Sequence, residues 1–361
     1  MMRLFLSPPH MSGKELEYIQ EAFESNYIAP TGPFLERFEK SVANFVQAPA
    51  ALALCSATAG LHLALRLVGI GPNDKVAVSD FTFIASLSPI LYEGATPILV
   101  GCDQSWQMDP MALEEALQKE RPKAVILTHI YGQSADVATI KELCGHYGAQ
   151  LIEDAAESLG ATLNGKHTGT FGTFGVYSFN GNKLLTTGGG GILVGPKEPI
   201  ERARFLATQA REPDVEWYEH KTYGYNYRLS NIAAAIGVAQ MEVVQERIAK
   251  KRQIFEWYQE FLAKKARFMP EIPKSFGNRW LTTALFDTDP LRILQELKQE
   301  GIESRPLWKP MHMQPLCKDF SYYGQKEEEE FFAKGLCLPS GTVMEKEDVA
   351  MVCEVIGRCL G

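Results

Sequence analysis

Apolar and polar positions in this chain follow two alternating patterns. Near the start, Leu16, Ile19 and Phe23 recur at helical spacing behind Ser12-Gly13-Lys14-Glu15, a capping-box sequence. Pro30-Thr31-Gly32-Pro33 breaks the chain, and positions 34–46 resume the helical period. From residue 51 short apolar runs alternate with amphipathic stretches. Strands are predicted at 51–54, 75–79, 97–100, 124–128 and 151–154. Helices are predicted at 58–68, at 84–92, after Asp109-Pro110, and at 136–147. Apolar strands separated by helices predict a mostly parallel α/β sheet covered on both faces. The runs 175–179 and 191–194 have no long helix between them and predict a local antiparallel pair.

A long helical region over 229–262 then leads away from the sheet. The stretches 280–286 and 302–304, with helices at 291–299 and 348–359, predict a compact α+β unit. The expected division is a large α/β domain with an N-terminal helical segment over 1–240, and the connecting helix with a small C-terminal domain over 241–361. The acidic run Glu327 to Glu330 reads as a solvated helix start.

The chain has 361 residues, 45% hydrophobic and 22% charged, which suits a well-cored globular protein larger than one small domain. Its net charge of −8 argues against a nucleic-acid binder, which needs many phosphate-neutralising cations. No apolar run approaches the roughly 20 residues of a membrane helix. Leu4-Phe5-Leu6 is too short for the apolar region of a signal peptide. Seven scattered cysteines without a CxxC pair predict reduced core residues of a cytoplasmic protein and no metal site.

In such a sheet ligands bind beyond the carboxyl ends of the strands. Three loops there carry candidate chemistry. Cys55-Ser56-Ala57-Thr58-Ala59-Gly60 leads into a helix, as an anion cradle or as an ordinary N-cap. Asp154 ends an apolar strand, where a buried carboxylate requires a cationic partner, unless it is a solvated loop acid. Lys183 stands among apolar and small residues ahead of Gly188 to Gly191; loss of hydration there favours a neutral amine able to attack a carbonyl. The glycines would let the backbone approach a bulky ligand. GxxxxGK[ST] is absent, and Gly169 to Gly175 is GxxGxxG, so neither nucleotide motif is present. Anion cradle, strand-end acid and imine-forming lysine follow in the order expected of an enzyme using pyridoxal 5'-phosphate.

Seven blocks in order carry a specific resemblance: Tyr27-Ile28-Ala29-Pro30-x-Gly32, Ser56-Ala57-Thr58-x-Gly60-Leu61-His62, Phe81-Thr82-Phe83-Ile84-Ala85, His129-x-Tyr131-Gly132, Glu153-Asp154-Ala155-Ala156, Ser178-Phe179-x-Gly181-Asn182-Lys183, and Gly224-Tyr225-Asn226-Tyr227-Arg228-Leu229-Ser230. The chain resembles the DegT/DnrJ/EryC1/StrS-type nucleotide-sugar aminotransferases, which implies the fold-type I, aspartate-aminotransferase-like architecture. Ser7-Pro8-Pro9-His10-Met11, Arg305-Pro306-Leu307-Trp308-Lys309 and Cys337 to Thr342 look most like the branch acting on the way to UDP-N,N′-diacetylbacillosamine.

The resemblance implies that Lys183 holds the cofactor and moves the proton, and that Asp154 faces the pyridine nitrogen. It further implies that Phe83 stacks on the ring and that Ser56, Ala57, Thr58 and Ser178 form the phosphate cup. Asn226 would reach the phosphate from a neighbouring subunit, so the active unit would be a homodimer with shared sites. Tyr27, Arg228, Lys309 and His312 are substrate-side candidates; Arg228 is equally an interface ion-pair residue, and His129 and His312 are structural or rim residues. Many relatives have Gln or His where this chain has Glu157. An ionised carboxylate cannot donate to the cofactor's phenolate, so Glu157 is expected to be protonated, turned away or, preferably, to serve the substrate. The implied reaction passes the amino group of L-glutamate, released as 2-oxoglutarate, to the C4 ketone of a UDP-linked 2-acetamido-4-keto-6-deoxy-hexose. Another 4-keto or 3-keto nucleotide sugar is the alternative substrate. The related dehydratases have histidine in place of the lysine, and a non-catalytic regulator would need an appended DNA-binding module.

Overall fold

The computed structural model of the chain describes residues 2–360. Its centre is an eight-stranded sheet in the order Ala50–Leu54, Gly191–Gly195, Phe174–Ser178, Gln150–Asp154, Ala124–Thr128, Lys75–Ser79, Thr96–Val100 and Tyr322–Tyr323. Every neighbouring pair is parallel except the two made by Gly191–Gly195, which runs antiparallel to both its neighbours. The predicted mostly parallel sheet with one local antiparallel pair is therefore present.

Strand periodicity explains why both faces are covered. Val76, Val78, Leu99, Ile126 and Ile152 point to one face, against the helix Ala57–Leu67. Ala77, Ile98, Val100, Val125 and Leu127 point to the other, against Pro110–Glu120 and Val137–Tyr147. Nearer the antiparallel edge, Ala51, Ala53, Tyr177, Ile192 and Val194 meet the helices Pro33–Val46 and Asn231–Glu242. Gly32 is a required breaker. Its φ of 141° lies in the region that favours glycine, and a Cβ there would strike the Asn231 side chain. Asn231 Oδ1 accepts from the Phe34 backbone N–H at 2.9 Å, while its amide donates to the Tyr27 carbonyl at 2.8 Å.

The C-terminal part has a smaller antiparallel sheet, Arg267–Phe268, Thr282–Leu285, Gly335–Leu338 and Arg305–Pro306. It is backed by Val244–Leu262, Pro290–Gln299 and Lys346–Leu360. Two tethers tie the halves together. Residues 3–6 run along the C-terminal part, with Leu4 bridging Ile302 and Leu6 N–H donating to Glu303 at 3.0 Å. Tyr322–Tyr323 leave the C-terminal part to add an edge strand to the large sheet.

Several expectations change. The helical stretch 84–92 is a 3-10 turn, Ile84–Ser86, followed by a short helix, Ser88–Tyr92. The region 229–262 breaks at Val243 into two helices. The stretch 302–304 forms only the isolated bridge at Ile302, and the strand proper begins at Arg305. A helix not anticipated, Lys197–Ala207, follows Pro196. In the first helix, Glu15–Glu24, Leu16 and Phe23 face outward although Ala22 is buried. Only half of its capping box forms: the Glu15 carboxylate accepts from Ser12 and Gly13 N–H, whereas the Ser12 hydroxyl accepts from Lys14. Six cysteines are buried and none is paired, but Cys55 is exposed.

Candidate active site

A cavity of about 990 Å³ opens at the carboxyl ends of the central strands, where the loops after 50–54, 75–79, 124–128 and 150–154 meet the C-terminal part. Its floor is polar and buried. Asp154, 5% exposed, accepts from the Ser86 hydroxyl at 2.6 Å and from the Ala156 N–H at 3.1 Å. Thr82 bridges Ser86 and Thr128 at 2.7 and 2.8 Å, completing a buried hydroxyl cluster beneath the acid. Among the described residues no lysine, arginine or histidine pairs with Asp154. A buried carboxylate held only by neutral donors is placed to pair with a cation carried by a ligand.

Lys183 sits on the turn after Phe174–Ser178, its side chain 14% exposed. Its Nζ lies 3.1 Å from Glu157 Oε1 and 4.0 Å from the centre of the Trp280 ring. The Trp280 indole N–H donates to the Asn182 carbonyl at 2.7 Å, which fixes the turn carrying the lysine. Lys183 is thus partnered as well as desolvated. Glu157 is fully enclosed, and its other oxygen accepts from the Tyr131 N–H at 2.7 Å. Burial pushes its carboxyl up to about 7, against the opposing pull of Lys183 and the Tyr131 N–H. The acid therefore faces the lysine, on the wall of the same cavity.

At the opposite wall Ser56 caps the helix Ala57–Leu67, its hydroxyl accepting from Ala59 N–H at 3.1 Å. Ser56, Ala57, Thr58, Ser178, Gly189 and Gly190 line the cavity here, so this helix start presents its unpaired N–H groups to it. Gly191, by contrast, makes room for protein: a Cβ there would meet the backbone at Ser56 and Ala57. Phe83 is 53% exposed inside the cavity, with its ring centre 5.5 Å from that of Trp308.

These residues fit pyridoxal phosphate. The helix start suits a phosphate, the uncompensated Asp154 a protonated ring nitrogen, the exposed Phe83 face a planar ring, and Lys183 an aldehyde. Lys309 lines the same cavity and makes no ion pair among the described residues. Sequence reasoning gives no site role to Ser86 or Trp280, since a serine in a short 3-10 turn or a tryptophan in a distant loop carries no local signature, and Trp308 enters only as part of the Arg305 to Lys309 block.

Four candidates lie elsewhere. Tyr27 is exposed, on a loop whose backbone Asn231 pins away from the cavity. Arg228 does not face a diphosphate in this chain; its Nη1 donates to Glu39 at 2.7 Å and to the Ala53 carbonyl at 3.2 Å. Asn226 is exposed, outside this chain's cavity, next to Arg228. His312 does not reach the cavity either; it is clasped by Asp80 at 2.7 Å and Glu329 at 2.9 Å. Burial works against its charge, but those two hydrogen bonds push the His312 imidazole up. Burial pushes Asp80 up to about 7, with the His312 hydrogen bond opposing. Glu328 corrects the reading of its acidic run: it is fully buried and accepts from the Tyr322 hydroxyl at 2.7 Å. Asp80, His312 and Glu328 converge within 4.8 Å, yet each is hydrogen-bonded within the chain.

His129 is structural. Its Nε2 meets Glu153 at 2.9 Å, and Nδ1 accepts from Ala135 N–H at 3.1 Å. Glu153 also accepts from the N–H groups of Gly169, Phe171 and Gly172 at 2.6–2.7 Å. The GxxGxxG loop therefore wraps a carboxylate of its own chain.

The DegT/DnrJ/EryC1/StrS aminotransferase family matches residues 9–357. The chain is 50% identical to the "Putative pyridoxal phosphate-dependent aminotransferase EpsN" of Bacillus subtilis strain 168, covering 98% of this chain and 95% of that one. It is 34% identical to a GDP-perosamine synthase of Caulobacter vibrioides, over 99% and 98% of the two chains. Among solved structures, the aminotransferase TlmJ of Streptoalloteichus hindustanus superposes with a TM-score of 0.93 at 26% identity, covering 99% and 98%.

Proposed function

Because this chain belongs to the DegT/DnrJ/EryC1/StrS aminotransferase family and uses pyridoxal phosphate, we propose that it aminates the C4 ketone of a UDP-linked 2-acetamido-2,6-dideoxy-4-keto-hexose with L-glutamate as donor. The product is UDP-4-amino-4,6-dideoxy-N-acetylglucosamine, on the bacillosamine route. The observation that carries the reading is the lysine–acid pair on one cavity: a partnered Lys183 and a buried, cation-less Asp154 below a helix N-terminus. The branch-specific blocks support the sugar: Ser7, Pro8 and Pro9 of the first and Arg305 to Lys309 of the second line the cavity.

When bound, pyridoxal phosphate supplies an aldehyde that takes up amines and a ring that draws electrons from the neighbouring carbon. Asp154, fixed by Ser86 and Ala156, holds a positive charge on the ring nitrogen. Ser56, Ala57, Thr58 and Ser178 hold the phosphate, and Phe83 covers one ring face. Lys183 would hold the cofactor through its Nζ, and the same nitrogen, when free, would take and return a proton at the reacting carbon. Glu157, 3.1 Å from that nitrogen, holds a proton or a charge opposite it as the lysine changes state. Lys309 offers its cation to the diphosphate.

A homodimer with shared sites belongs to this reading. Its support is the outward apolar face of Leu16, Phe23, Tyr27 and Ile28, together with an exposed Asn226 outside its own cavity.

Borohydride treatment of the cofactor-loaded chain should leave a stable pyridoxyl tag on the peptide containing Lys183. A tag elsewhere, or full turnover by Lys183→Ala, overturns the assignment. Asp154→Asn should still bind cofactor but lose about a thousandfold in rate, the equivalent of about 4 kcal/mol for an opposite-charge pair near 4 Å. Single-turnover absorbance with glutamate measures that loss. Product NMR after offering 4-keto and 3-keto nucleotide sugars decides the substrate.

A further inference from the structure

Lys251 lies in the middle of the helix Val244–Leu262 and is 2% exposed. Its one hydrogen bond runs from Nζ to the Ser7 hydroxyl, at 2.9 Å. No carboxylate among the described residues pairs with it. Burying an ammonium without a counter-charge is expensive, and a methionine of similar length would fill the same space without that burden. A purely structural account therefore leaves Lys251 unexplained.

Its partner points to the reason. Ser7 lies on the cavity wall formed by Phe5, Leu6, Ser7, Pro8 and Pro9. In that segment Ser7 has the only polar side chain, Pro8 and Pro9 have no N–H, and the Leu6 N–H is committed to Glu303. The backbone is pinned on both sides of Ser7: Ser340 N–H donates to the Leu6 carbonyl at 2.7 Å, and His10 Nδ1 meets the Thr342 hydroxyl at 2.9 Å. A hydroxyl that accepts from a lysine keeps its own hydrogen free. Among the described residues Ser7 makes no other side-chain hydrogen bond, which leaves that hydrogen for an acceptor in the cavity that Ser7 lines.

We propose that Ser7, oriented by Lys251, donates a hydrogen bond to an acceptor oxygen of the sugar nucleotide. Ser7 is thus a specificity-determining contact and Lys251 a positioning residue behind it. The inference rests on the sugar-nucleotide reading above. The wall is built on residues 301–303 and 340–342 and shares the cavity with Arg305, Trp308 and Lys309. The longer substrate must extend toward that side, away from the floor at Asp154 and Lys183.

The two half-reactions separate the claims. With cofactor-loaded protein, Ser7→Ala should raise KM for the UDP-linked 4-keto-hexose about tenfold, the worth of one hydrogen bond, with little change in kcat. The glutamate-driven absorbance change should keep its rate and concentration dependence, and Ser7→Thr should recover the wild-type KM. Lys251→Met should reproduce the raised KM, add nothing to Ser7→Ala in the double variant, and unfold at a higher temperature than wild type. An unchanged sugar-nucleotide KM in Ser7→Ala, an equal loss in the glutamate half-reaction, or a Lys251→Met chain that is less stable with normal KM overturns the proposal. A wild-type chain that does not respond to glutamate overturns instead the reading on which it rests.

Discussion

Glu157 shows how one side chain can set the pH response of the site. Burial raises its carboxyl to about 7 from an ordinary 4.5, so the folded chain prefers the protonated acid. Because the folded value lies above the unfolded one, its stabilising contribution is present below about 4.5 and is lost as pH rises toward about 7. The same titration alters the charge facing Lys183 Nζ. The rate of the glutamate half-reaction should therefore inflect near 7, and Glu157→Gln, which cannot titrate, should remove the inflection. An identical pH–rate profile in the variant would show that the acid does not govern the lysine.

Between elements, one buried carboxylate joins several parts of the chain. Glu39, on the helix Pro33–Val46, accepts from the Ala53 N–H at 2.9 Å and binds Arg204 and Arg228 at 2.7–3.1 Å. Glu39→Ala strands two arginines, one nearly buried, and should destabilise the chain by about 3 kcal/mol, read as a lower denaturation midpoint. The large sheet was legible in the sequence because its signal is local: Val76, Ala77 and Val78 are apolar whichever face they serve, and so mark a strand buried on both sides. Lys197–Ala207 escaped because its charged positions obscure the buried Ile200, Ala203 and Leu206. Leu16 and Phe23 misled in the opposite sense, forming an apolar stripe that faces outward. At the site, loop chemistry pointed to Lys183, Asp154 and the helix start at Ser56. The Trp280 ring under the lysine and the His312 clasp at Asp80 join residues about 100 or more positions apart, and no spacing encodes such a meeting.

For the whole molecule, the placement of Asn226 gives a test of shared sites. Lys183→Ala and Asn226→Ala should each be weak alone. Mixed and reassociated, they should recover about a quarter of wild-type activity, because half the dimers are mixed and each holds one intact site under two-fold symmetry. No recovery after verified subunit exchange would mean that each subunit works alone. The edge strand Tyr322–Tyr323 bears on motion. Leu99 N–H donates to the Ser321 carbonyl and Gly101 N–H to the Tyr323 carbonyl, each at 2.8 Å, so the C-terminal part is stitched into the sheet of its neighbour. Swinging the halves apart would tear that ladder. A ligand that enters between the halves therefore meets an entrance braced on both sides by one hydrogen-bonded sheet.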